Sequence, residues 1–89
     1  MLFDWDDEKD AEVQALRGFG FVDAVEIFLG HTVEWQDDRK DYGETRMIAV
    51  GTFGGIFYTV VFTDRGPVRR IVTAWHSALW ERQPWRRSV

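Results

Sequence analysis

The sequence predicts an α+β fold in which two N-terminal helices cover one face of an antiparallel sheet of four to five strands, followed by a short C-terminal helix. Three observations carry that reading. Arg46 to His76 consists of three apolar-rich runs separated only by short turns bearing glycine or proline. Ahead of them lie two helix-like stretches, each closed by glycine, and behind them a short polar-aromatic segment. β-Branched and aromatic residues dominate the three runs, as a pleated, half-buried surface prefers.

Taken in order, Leu2-Phe3-Asp4-Trp5 alternates apolar and polar residues and reads as a first strand. Asp6 or Asp7 then serves as a helix N-cap, and Asp7, Glu8 and Asp10 suit the positive end of a helix dipole. This helix extends to about Arg17, with Ala11, Val13, Ala15 and Leu16 forming a weak apolar stripe, and Gly18-Phe19-Gly20 ends it. A second helix covers roughly Val22 to Leu29, with Phe21, Val25, Phe28 and Leu29 as its apolar face and Gly30 as its stop. His31 to Trp35 is a further strand, and Gln36 to Glu44, polar except for Tyr42, is a solvated loop. The meander follows as Arg46–Phe53, Ile56–Thr63 and Val68–His76. Gly54-Gly55 makes its first turn and Asp64-Arg65-Gly66-Pro67 its second. Ser77 caps a short helix that Pro84 limits, leaving Trp85-Arg86-Arg87 as a basic aromatic tail.

Eighty-nine residues make one domain, spanning 1–89, and 45% hydrophobic with 16% aromatic content supplies a core without staples. Cysteine is absent, which excludes disulfides and thiolate metal sites. Met1-Leu2-Phe3 runs directly into acids, the wrong charge for the start of a secretory signal, and no apolar run approaches the roughly 20 residues that span a bilayer. The expectation is a cytoplasmic protein with no membrane contact. Its net charge of −4 is asymmetric: residues 1–45 hold 13 acids and 4 bases, residues 46–89 hold 2 acids and 7 bases. The basic half can present a local positive field to a polyanion, or the two halves simply neutralise each other on packing. His31 and His76 have no ligand spacing, the loop acids lack the pattern of a calcium loop, and no phosphate-binding glycine loop is present, so neither metal nor cofactor is expected.

Several pieces of the chain occur together in one family. They are Phe3-Asp4-Trp5-Asp6-x-x-Lys9, Gly18-x-x-Phe21-x-x-Ala24-x-x-Ile27-Phe28, Asp41-Tyr42-Gly43-Glu44-x-Arg46, Ile48-Ala49-Val50-Gly51, and Val61-Phe62-Thr63-x-Arg65-Gly66 running to Arg70-Ile71-Val72-Thr73-Ala74. In this order the chain resembles the BrnT toxins. The resemblance implies a RelE-like fold and a ribonuclease that arrests translation, paired with a BrnA antitoxin that carries a ribbon-helix-helix DNA-binding part. The chain departs from the family pattern at Leu16-Arg17, where a Lys-His pair is common, at Trp75-His76 after Thr73-Ala74, at Leu79-Trp80, and at Gln83-Pro84-Trp85. A relative that kept the scaffold and partner surface but lost catalysis is therefore the alternative.

Metal-free RNA cleavage needs cations on the phosphate oxygens and a proton carrier. Arg65, in a turn, and Arg70, inside an apolar strand, are the first phosphate candidates, because arginine makes paired charge-assisted bonds and stays protonated. Lys9 offers a further cation, or is an ordinary helix lysine among acids. His76 is the candidate proton carrier, or a surface histidine. Arg46, Arg69 and Trp75 complete the expected RNA contacts, while Trp75, Trp80 and Trp85 serve equally as a protein interface or homodimer contact. Strict alternation places Val68, Arg70, Val72, Ala74 and His76 on one strand face and Arg69, Ile71, Thr73 and Trp75 on the other. Arg70 then either pairs with a carboxylate of the acidic half or faces an anion-binding cleft.

Overall fold

In a computed structural model of residues 1–89, the chain runs through β1 (Leu2–Trp5), α1 (Asp7–Arg17) and α2 (Phe21–Ala24), which passes into a 3-10 turn over Val25–Leu29. It continues through β2 (Val33–Gln36), β3 (Met47–Phe53), β4 (Ile56–Arg65), β5 (Val68–His76) and α3 (Leu79–Ser88). The strands form one sheet in the order β1-β5-β4-β3-β2. The expected meander is its centre, with β3–β4 and β4–β5 antiparallel and β2 antiparallel to β3. Gly54 and Gly55 both take positive φ, at 60° and 78°, the backbone a tight hairpin needs. The sheet is mixed rather than wholly antiparallel, because β1 lies parallel to β5 at the edge. Parallel neighbours need a long crossover, and the helices plus the meander provide it.

Asp6 caps α1 by accepting from the Glu8 N–H at 2.9 Å, and Gly18 closes it in the left-handed conformation. Val13 is its buried residue, whereas Leu16 is exposed. Phe21, Ala24 and Ile27 are fully buried, three residues apart, while Leu29 is exposed. Phe21, Val25 and Phe28 of the expected face do pack on the core, but the 3-10 winding repeats every three residues, so Ala24 and Ile27 fall in line with Phe21 and Leu29 turns outward. These helices pack on Ala49, Tyr58, Val60, Phe62, Ile71 and Ala74 of the sheet. Phe3 and Trp5 join from β1, their rings 5.6 Å from Phe28 and 5.9 Å from Phe21.

The opposite face is partly covered by α3, which differs from expectation in two ways. It runs through Pro84 instead of being limited by it. The lost backbone bond is offset by anchoring one residue on, where the Trp85 indole donates to the His31 carbonyl at 2.8 Å and its ring meets Phe57 at 5.2 Å. Ser77 is not the cap either, since its hydroxyl is engaged in a buried pair with Thr59 at 2.7 Å. The Glu81 carboxylate instead accepts from the Ala78 N–H at the helix start, at 2.7 Å.

Strict alternation along β5 also fails. Val61 pairs with Thr73 and Phe62 with Ile71, so Val72 has no partner on β4. This bulge adds one residue and reverses the side-chain parity beyond it. Arg69 and Ile71 therefore share the helix-covered face with Ala74 and His76, and Arg70, Thr73 and Trp75 share the other. Arg69, its side chain 12% exposed, lies over the Phe62 and Phe28 rings at 4.0 and 4.8 Å and donates twice to Asp64, at 2.7 and 3.0 Å. It closes one end of the core. Arg69→Ala should lower unfolding free energy by about 1–2 kcal/mol through lost charge-assisted bonds and packing, whereas Arg70→Ala should stay within about 0.5 kcal/mol. Urea denaturation measures both, and equal costs would contradict the assignment of faces.

Candidate functional site

Near one end of the sheet, cations stand on or beside three neighbouring strands. Arg70 of β5 is registered against Thr63 of β4, whose hydroxyl donates to the Thr45 carbonyl at 2.8 Å and ties down the segment leading into β3. Arg46 stands at that entry, and Arg65 at the end of β4. Because α1 starts directly after β1, Lys9 is delivered to the same place. Lys9, Arg46, Arg65 and Arg70 together line a depression of about 310 Å³, with Asp6 and Glu44 among its walls.

The four cations are held unequally. Arg65 Nη2 lies 3.3 Å from Glu44, with the two side chains 59% and 34% exposed. Arg70 Nη1 lies 3.5 Å from Asp4, and Lys9 Nζ lies 3.7 Å from Glu12. Pairs this open contribute only about 0–1 kcal/mol, so a phosphate group can compete for the same guanidinium groups. Arg46 has no carboxylate partner; its guanidinium carbon sits 3.9 Å from the centre of the Tyr42 ring, and its Nε is buried without an acceptor. An unsatisfied buried donor costs about 1–3 kcal/mol, a cost the cation–π contact offsets in part. Arg70 pairs with an acid of the N-terminal half, the first of the two sequence alternatives, and it also lines the depression.

The loop behind Arg46 is pinned. Asp37 donates its N–H to the Arg46 carbonyl at 2.8 Å, and its carboxylate, with no exposed side-chain surface, accepts from Arg39 Nε at 2.7 Å and Nη2 at 2.8 Å. The Arg39 guanidinium holds the Asp37 carboxyl below the usual carboxylate range.

The remaining candidates are not part of the cluster. Arg69 is turned into the core, as described above. His76 lies six residues from Arg70, roughly 20 Å along the strand, on the helix face, stacked on Phe19 at 4.7 Å and near Tyr58 at 5.3 Å. Burial pushes the Tyr58 phenol up, so that neighbour stays neutral. Trp75 shares the face of Arg70 but lies further along, its indole donating to both Glu81 oxygens at 3.0 and 3.2 Å. With Trp35, Trp80 and Ile48 it walls a second hollow of about 290 Å³.

Sequence reasoning missed Asp4, Asp6 and Glu44 as companions of the cations, and Tyr42 as the platform for Arg46. Their signal was present: period two places Asp4 opposite Phe3 and Trp5, and both motif pieces interleave acid with cation. No group of three or more histidine and acidic side chains is placed to hold a metal ion. No helix is long and apolar enough to cross a membrane.

The Asp37–Arg39 pair makes stability depend on acid. Because the folded carboxyl titrates lower than the unfolded one, the contribution is complete above the unfolded value of 3.8 and disappears as pH falls through the folded value. Thermal unfolding should show wild type more stable than Arg39→Ala at pH 6, with the gap closing below pH of about 3.8. A gap constant from pH 6 to pH 2 would contradict the pairing.

A search of curated proteins gives no match to this chain. The family model described as ribonuclease toxin, BrnT, of type II toxin-antitoxin system matches residues 5–78, a span that takes in β1's last residue, both N-terminal helices, the whole meander and all four cations of the depression. On that match the chain belongs to the BrnT family, the ribonuclease toxins of type II toxin-antitoxin systems.

Proposed function

We propose that this chain is an endoribonuclease that cleaves RNA without a metal ion, gripping the scissile phosphate with Arg46, Arg65 and Arg70. The observation carrying that reading is the convergence of four cations from α1, the β3 entry, β4 and β5 on one depression of about 310 Å³. Family membership supplies the class of reaction. In this reading the RNA 2′-hydroxyl oxygen attacks the adjacent phosphorus and the bond to the 5′-oxygen breaks, leaving a 2′,3′-cyclic phosphate and a 5′-hydroxyl end. Glu44, hydrogen-bonded to Arg65 at 3.3 Å, takes the 2′-hydroxyl proton, and Lys9 gives one to the departing oxygen. The guanidinium groups stabilise charge that develops on the non-bridging oxygens, the term that is usually largest. His76 has no part in it.

As a type II toxin the chain has an antitoxin partner. A BrnA-type ribbon-helix-helix antitoxin is the proposed one, in the cytoplasm where message is translated. Exposed Met1, Leu2 and Leu29, beside an apolar hollow of about 300 Å³ lined by Phe3, Val25 and Phe28, offer it a surface.

One observation favours a second reading, a non-catalytic relative that only binds its partner. Lys9, Arg65 and Arg70 each have a carboxylate within 4 Å, and the histidine is remote. A cleavage assay in EDTA, on synthetic RNA and on ribosome-bound message, separates the two. Wild type should cut, Arg46→Ala and Arg70→Ala should each slow cutting about a hundredfold or more, and Arg69→Ala should cut at the wild-type rate once folded. RNA left intact by wild type on both substrates would support the non-catalytic reading instead.

A further inference from the structure

The second hollow lies along the same strand, β3, whose entry residue Arg46 lines the first. On the face that carries Arg70, Arg46 is followed two residues along β3 by Ile48, which is registered against Trp35 of β2. Two strand residues span roughly 7 Å, about the distance from a nucleotide's phosphate to its own base. Trp35, Trp75 and Trp80 wall the hollow over Ile48, and Trp80 is 69% exposed. The Trp75 indole is held in place: Glu81, itself 4% exposed, accepts its N–H while bonding the α3 N-terminus.

Carboxylates predominate among the polar groups at the rim, with Arg39 the one cation and Gln36 the one neutral side chain. Asp37 is committed to Arg39 and Glu81 to Trp75 and Ala78. Asp38 is exposed and has no hydrogen-bond or ion-pair partner. A hollow with carboxylates at its rim repels phosphate, yet aromatic walls beside a free carboxylate suit a nucleobase: indoles stack on any base face, and a carboxylate accepts only from an amino or ring N–H edge.

We infer that this hollow is a nucleobase subsite. A base whose phosphate is held at Arg46 stacks against Trp35, Trp75 and Trp80, and Asp38 accepts from its exocyclic amino group; this favours adenine, cytosine or guanine over uracil, whose one ring N–H lies between two carbonyl oxygens that repel a carboxylate. The subsite rests on the phosphate-binding reading of the adjacent depression and adds to it a source of sequence preference. A basic or aromatic side chain of a protein partner is the competing occupant. Continuity with the cation cluster on one sheet face favours the base.

The test is fluorescence anisotropy with short labelled 2′-O-methyl oligonucleotides, which lack the attacking hydroxyl and stay intact. The strands are oligo-A, oligo-U and an abasic strand of equal length. Wild type should bind oligo-A about tenfold more tightly than the abasic strand and more tightly than oligo-U. Trp80→Ala, at a side chain too exposed to decide folding, should remove the advantage over the abasic strand while leaving abasic binding unchanged. Asp38→Asn should remove the preference for A over U and keep the gain over the abasic strand. Equal wild-type affinity for oligo-A and abasic strand, both lost in Arg46→Ala, would overturn the subsite while leaving the phosphate site standing. No binding of either strand would overturn the phosphate reading and the subsite with it. Oligo-A affinity unchanged in Trp80→Ala, together with lost binding to the purified antitoxin, would give the hollow to protein.

Discussion

One unpaired residue, Val72, determines what the last strand does. Arg69 and Arg70 are chemically identical neighbours, and the pleat sends them to opposite faces. What the bulge adds is a change of parity two residues later. Upstream of it the helix side takes Arg69 and Ile71 and the open side takes Arg70; downstream, Ala74 returns to the core and Trp75 to the open side. Without the extra residue, Ala74 would leave the core and Trp75 would enter a space sized for alanine. The core can thus be sealed by one arginine while the next remains available to a ligand.

The two arginines illustrate how burial changes the worth of the same interaction. Arg69, itself largely buried over aromatic rings, makes two short bonds to a half-exposed Asp64. Arg70 and Arg65 meet their carboxylates at longer range in partly exposed settings, where water and salt weaken attraction. Loose pairing keeps guanidinium groups oriented yet replaceable, which is what an anion site requires. Arg46 differs again, being held by an aromatic face and a pinned loop with no acid to displace. Its desolvated position strengthens any charge-assisted bond it makes.

Much of the fold was legible because local chemistry and tertiary packing agree. The Asp6 cap, the Gly54-Gly55 turn and the alternation of β1 each follow from residues within a few positions. The misreadings arose where a distant contact outweighs a local rule. Trp85 docking on His31 carries α3 through Pro84, Thr59 takes the Ser77 hydroxyl away from capping, and β1 finds its partner at the far end of the chain. The site divided in the same way. Arg46, Arg65, Arg70 and Lys9 could be nominated from residue type and motif, but their companionship with Asp4, Asp6, Glu44 and Tyr42 depends on sheet order. Simple alternation already separates Arg69 from Arg70, whereas His76 lies on the face opposite Arg70 because no residue near Val72 announces a bulge.

The division of labour between adjacent arginines is most directly tested by NMR of arginine Nε–Hε groups during titration with a non-cleavable 2′-O-methyl dinucleotide. Signals of Arg46, Arg65 and Arg70 should move together along one saturation curve while that of Arg69 stays fixed. Movement of Arg69 with the others, or no movement of any of the three, would contradict a phosphate site built on the open face of the sheet.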